Sequence, residues 1–204
     1  VHGISGYPQE FESLVADLAR TRFQAWLAQY PSGFDLDLVS DYVDRAIDES
    51  RTIHRPEAVC IVAHSMGGVV MRRALGRYAV HPERARVPLF VTLASPVGGH
   101  PGAAMGAAMS PVVLPAWRSL VPSGEFITHL YDAPLPPETR HDLLFAFGSD
   151  DARGDGVVPL TSQLRAEAQA GAALVRGFPT SHVGILEDAT AMALVEAELV
   201  AHCR

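Results

Sequence analysis

One turn constrains this chain more than any other feature. Val59-Cys60-Ile61-Val62 is a continuous apolar run that reads as a buried strand, and residues 66–80 carry the pattern of a helix. Between the two lies Ala63-His64-Ser65-Met66-Gly67-Gly68. A strand that passes into a helix within so few residues is crowded two positions before and two positions after its central residue. Ala63 and Gly67 are small enough for those places. Ser65 is then held on a strained corner with its hydroxyl above the sheet edge. The Met66 N–H points toward the same space from the positive end of the helix, and Gly68 lets the helix pack close to the sheet. The plain alternative is a Gly-rich strand-to-helix loop with an incidental serine. The small-x-Ser-x-Gly pattern is weak alone and gains its force from the strand and helix on either side.

Strand and helix signals alternate along the rest of the chain, which predicts an α/β fold: a mostly parallel central sheet with helices on both faces. Helical spacing covers 9–20, with Phe11, Leu14, Val15 and Leu18, and again about 35–54, with Leu36, Val39, Val43 and Ile47 on one face. Residues 22–30 are ambiguous and are assigned to a strand, because Pro31-Ser32-Gly33 ends the run. Further strands are expected at 57–63, 87–94, 143–148 and 173–178, and a closing helix at 185–202. Residues 96–141 break the alternation with a Pro-, Gly-, Ala- and Met-rich insertion, expected to act as a cap or lid. Val1-His2-Gly3 reads as the end of a strand whose body is missing, so the single domain over 1–204 is expected to be truncated at its N-terminal strand.

Composition narrows the function. With 204 residues, 48% hydrophobic and 19% charged, the chain can bury one substantial core. A net charge of −7 without a basic patch argues against nucleic acid. All 16 basic residues are arginine, a usage that associates the chain with a GC-rich bacterium. No apolar run is long enough to span a bilayer. Cys60 lies in the apolar strand and Cys203 one residue from the end. They are expected to be a small buried residue and a tail thiol rather than a disulfide, which leaves cell envelope, secreted and cytoplasmic locations open.

A serine on such a corner needs a base and an orienting acid. Gly154-Asp155-Gly156-Val157-Val158-Pro159 follows the strand at 143–148. Asp155 is preferred as the acid on its turn context; Asp150 and Asp151 compete, and an Asp-Gly turn is the bland alternative. His182 falls after the last strand and before the last helix, where a base would reach Ser65. His64 is expected to point away from the serine, and His2 to be structural. His54, His81 and His202 sit at helix ends, and His100, His129 and His141 lie in or beside the insertion. No histidine pair has metal-ligand spacing with a carboxylate, so no metal is expected. The loop His2-Gly3-Ile4-Ser5-Gly6 can offer a second oxyanion donor, the Ile4 N–H, beside that of Met66. In the insertion, Met105, Met109, Val112, Val113, Leu114, Trp117 and Phe126 form either an acyl-binding wall or ordinary core.

With these residues in view the chain resembles the lipase-like α/β hydrolases, and among them the bacterial relatives of the GPI inositol-deacylase and triacylglycerol-lipase groups. The resemblance rests on His2-Gly3-Ile4-Ser5-Gly6, Tyr30-Pro31-Ser32-Gly33, Ala63-His64-Ser65-Met66-Gly67-Gly68, Gly154-Asp155-Gly156-Val157-Val158-Pro159 and Ser181-His182. Two departures stand out: Ala63 replaces the usual first glycine, and the strand before His2 is absent. The resemblance implies an α/β-hydrolase fold, a Ser65–Asp155–His182 triad with Ile4 and Met66 as oxyanion donors, and cleavage of carboxylic esters without a cofactor. It implies a small-molecule or lipid ester as substrate and transient contact with a lipid interface. An acyltransferase or thioesterase with the same triad, and a non-catalytic binding module, are the rival readings.

Overall fold

In the computed structural model the residues described are 1–18, 22–78, 86–103, 105, 113–148 and 153–203. Four strands form one parallel sheet in sequence order: β1 (Ile61–His64), β2 (Leu89–Leu93), β3 (Arg140–Ala146) and β4 (Leu174–Phe178). Ile61 pairs with Phe90, Leu89 with Arg140 and Asp142 with Leu174. Parallel neighbours need covered faces, and β2, buried at all five positions, has them. Phe90 packs into one cluster with Leu36, Val39 and Val43 of α2 (Leu36–His54) and with Val70, Met71 and Leu75 of α3 (Met66–Tyr78). Leu89, Val91 and Leu93 face the opposite cluster, with Leu14 of α1 (Glu12–Asp17) and with Val195 and Leu199 of the C-terminal helix. The period-two alternation of β2 thus joins two cores across one sheet.

The helices begin and end where local chemistry dictates. Asp35 caps α2 by accepting from the N–H groups of Asp37 and Leu38, and Arg55 closes it in a left-handed conformation at φ +47°. A turn of 3-10 helix over Pro8–Phe11 precedes α1, so the predicted helix over 9–20 is two short pieces in its described part; residues 19 and 20 lie outside the described residues, as do 79 and 80 at the end of the predicted helix over 66–80. Short helices α4 (Pro115–Ser119) and α5 (Glu125–Thr128) lie in the insertion. Two more, α6 (Leu160–Gln163) and α7 (Ala166–Ala170), precede β4. The last helix, α8 (Ala189–His202), starts behind the Asp188 cap rather than at residue 185. No helix among the described residues is long and apolar enough to cross a membrane.

Two expectations are corrected. Residues 22–30 do not form a strand: described from 22 onward, they run irregularly along the surface, and among 22–30 only Tyr30 is buried. An extended run becomes a strand only by finding a sheet edge. The outer edge of β1 is occupied by Val1, whose amino group donates to Val62 O and whose carbonyl accepts from the His64 N–H. The second correction is Cys60 and Cys203, which form a disulfide with Cα atoms 6.1 Å apart across a sequence separation of 143. Helix α8 lies against the sheet, so its end arrives beside the residue that precedes β1. Nothing in the sequence near either cysteine signals that meeting.

Candidate active site

Ser65 follows the last residue of β1 and precedes the first of α3. Its φ is +54°, a region that L-residues rarely occupy, and its N–H donates to Leu93 O at 2.8 Å. The crowding expected around it is present. A Cβ at Gly67 would run into the carbonyl oxygens of Val1 and His2, and one at Gly68 into the Ser95 hydroxyl. Ala63 is fully buried, so a methyl is what that position accommodates in place of the usual glycine.

The strand ends bring three distant residues into one hydrogen-bonded chain. The Ser65 hydroxyl lies 2.9 Å from His182 Nε2, and His182 Nδ1 lies 2.7 Å from Asp155 Oδ2. An ionised carboxylate can only accept, so Nδ1 carries the proton and Nε2 is left to accept from the serine. All three side chains are buried. Asp155 is held by its own turn: Oδ1 accepts from the Val157 and Val158 N–H groups at 2.9 and 2.6 Å, and its backbone carbonyl accepts from the His182 N–H at 3.0 Å. Burial, the largest single influence on this carboxyl, pushes it upward. The hydrogen bond and charge of His182, with the two amide donors, outweigh burial and hold it below the usual carboxylate range. Asp150 and Asp151 lie outside the described residues.

The loop at residues 2–6 lies directly over the serine. A Cβ at Gly3 would be 2.8 Å from Ser65 Cβ, so only glycine lets the two backbones approach this closely. The Gly6 N–H donates to Gly3 O at 3.2 Å and closes the turn that carries Ile4. Met66 stands in the first turn of α3, where an N–H has no intrahelical acceptor. Neither the Ile4 nor the Met66 N–H has a hydrogen-bond partner among the described residues. The Tyr30-Pro31-Ser32-Gly33 segment braces this loop. The Tyr30 ring stacks on His2 at 4.3 Å, its hydroxyl donates to His2 O, and the Ser5 N–H donates to Ser32 Oγ at 2.9 Å. His2 is thereby a buried stacking partner, as expected.

His64 engages the loop that carries His182 rather than the serine hydroxyl. Its Nε2 is 2.9 Å from His182 O, so it anchors the backbone of the loop that carries His182. Burial, aided by the charge of His182, lowers its pKa to about 4. His100 Nε2 meets Val157 O at 2.6 Å, His129 meets Asp132 at 2.6 Å, and His202 meets Glu198 at 3.1 Å. His54 rests near the Trp26 ring, and His81 lies outside the described residues.

The candidate acyl wall divides. Phe126 is 5% exposed and belongs to the core shared with α2 and α3, which corrects its assignment: α5 packs inward, and Phe126 sits on its buried side. Trp117 is partly buried against the same core. Leu114 lies against the Gly33 position, Val113 is half-buried, and Met105 is 63% exposed. Met109 and Val112 lie outside the described residues. Gln163 and Ser162 of α6 escaped the sequence reading altogether. Gln163 contacts Asp155, and Ser162 donates to Gly99 O at the root of the insertion. Neither is marked by any motif or spacing.

Residues 31–108 match the family described as PGAP1-like alpha/beta domain. No curated protein gives a significant sequence match. Several solved structures share the architecture. The mature lipase BlEst2 of Bacillus licheniformis has a TM-score of 0.71 at 17% identity, over 98% of this chain and 89% of that one. The product of the gene lin2722 of Listeria innocua has a TM-score of 0.71 at 16% identity, over 96% and 90%. The metagenomic carboxyl esterase MGS0156 has 0.69 at 17%, over 98% and 73%.

Proposed function

Because this chain has the α/β-hydrolase fold, in common with solved lipases and esterases, we propose that it is a serine hydrolase that cleaves carboxylic esters, with lipid-like esters as its substrate class. The observation that carries the reading is the unbroken chain from the Ser65 hydroxyl through His182 to Asp155, with spans of 2.9 and 2.7 Å. His182 Nε2 takes the serine proton as Oγ attacks the ester carbonyl. Asp155 holds the imidazole in the required tautomer and stabilises its charged form. The Ile4 and Met66 N–H groups receive the oxyanion, each worth roughly 3 kcal/mol in comparable sites. His182 then gives its proton to the departing alkoxide, and water, deprotonated by the same imidazole, releases the acid from Ser65. Acid–base and nucleophilic groups suffice for every step.

The test is direct. The folded protein should hydrolyse p-nitrophenyl esters and be labelled at Ser65 by a fluorophosphonate probe. Product analysis with an added alcohol or thiol should show water as the main acceptor. A folded protein that neither turns over esters nor takes the label would remove the proposal.

A further inference from the structure

Gln163, the last residue of α6, is 1% exposed and polar, and every polar atom of its side chain is used. Oε1 accepts from the Ala146 N–H at 3.0 Å. Nε2 faces three acceptors: Ala146 O at 3.0 Å, Val158 O at 3.0 Å and Asp155 Oδ2 at 3.2 Å. The orientation of the amide follows from these partners, since one end meets a donor and the other only acceptors. Ala146 is the last residue of β3, and the carboxamide pairs with both of its backbone groups as a neighbouring strand would. Gln163 therefore fastens the Asp155 turn to the end of the sheet. It also reaches Oδ2, the oxygen that accepts from His182, whereas Oδ1 is filled by the Val157 and Val158 amides.

We propose that Gln163 is a positioning residue of the reaction proposed above: it holds Asp155 Oδ2 opposite His182 Nδ1 and, by sharing that oxygen, sets how strongly the carboxylate draws on the imidazole. The inference rests on the ester-hydrolase reading for its catalytic consequence, but the coupling of the three side chains can be measured without catalysis. With the Gln163 donor gone, Oδ2 serves His182 alone. The carboxylate then stabilises the imidazolium more, and His182 gains its proton at higher pH. The acid turn also loses its tie to β3.

The experiment compares Gln163→Leu and Gln163→Met with the parent. In a Ser65→Ala background, NMR titration of the His182 ring should move up by roughly 0.5–1 unit in either variant. With Ser65 present, kcat should fall about tenfold, the effect of one hydrogen bond to a charged group, while KM stays within about twofold. The acidic limb of the kcat profile should follow the NMR shift. Gln163→Met keeps the length and nearly the volume of the side chain while removing the donor, so it supplies the measurement if the leucine variant does not fold. A His182 titration that coincides with the parent's in a folded variant, with activity lost only in proportion to the fraction unfolded, would reduce Gln163 to a structural residue. If the parent neither turns over esters nor takes the fluorophosphonate label while the titration still shifts, the ester reading falls and the Gln163 coupling stands.

Discussion

Asp155 and Ser65 carry the sharpest expectations at the scale of single residues. Ser65→Ala keeps Cβ and the left-handed backbone and removes only the nucleophile. It should abolish p-nitrophenyl ester turnover by orders of magnitude with an unchanged circular dichroism spectrum; substantial turnover by the folded variant would sink the assignment. In Asp155→Asn, the Val157 and Val158 amides would still claim the side-chain oxygen. The new NH2 group would then face His182 Nδ1, a donor against a donor. The imidazole must shift its proton to Nε2 and can no longer accept from Ser65, so kcat should fall by about 10⁴-fold in steady-state assays. Asp151→Asn should be mild. The reverse ranking would move the acid out of the Asp155 turn.

At the scale of elements, the structure stakes two devices that no local pattern announces. The Cys60–Cys203 disulfide ties the approach to β1, and so to Ser65, to the end of α8. A loop of this length removes chain entropy from the unfolded state worth about 5 kcal/mol. Reduction, or Cys203→Ser, should lower the Tm by about 10–20 °C in thermal melts; an unchanged Tm would show that the bond contributes little. The insertion is the second device. Phe126, Ile127 and Leu130 are spent on the core, and Ser162 and His100 stitch the root of the segment to the acid turn. Residues 98–130 are still expected to cover the site and favour lipid-like esters. Each added methylene in the acyl chain should then contribute up to about 0.8 kcal/mol until the pocket fills. The measurement is kcat/KM across p-nitrophenyl esters of increasing length; a profile highest for acetate would make the chain a short-ester esterase.

Across the whole molecule, two buried histidines link stability to pH. Burial lowers His64 and His141 to about 4, below the ordinary value of 6.5. The unfolded chain therefore binds more protons between those limits, and stability present above pH 6.5 is lost as pH falls toward 4, by up to about 3 kcal/mol per histidine. Asp142, raised to about 6 chiefly by burial, acts in the opposite sense, so the clean test is a difference. His141 Nε2 meets Thr92 Oγ1 at 3.1 Å, and its ring stacks on Phe90. His141→Leu should cost stability at pH 7 and less at pH 4.5; a gap in Tm that does not change with pH would exclude the linkage. The same division between local and long-range causes separates the features readable in chain order from those that are not. The corner at Ser65, the helix over α2, the parallel class of the sheet and the places of Asp155 and His182 after strand ends all follow from sterics and periodicity within a few residues, so they are legible in chain order. The bracing of the oxyanion loop by Tyr30 and Ser32, the disulfide, the grip of Gln163 on Asp155 and the irregular course of residues 22–30 are not. Each of these depends on which surface a segment meets after the sheet and helices have packed. A free sheet edge, or a partner more than a hundred residues away, leaves no mark on the sequence beside it.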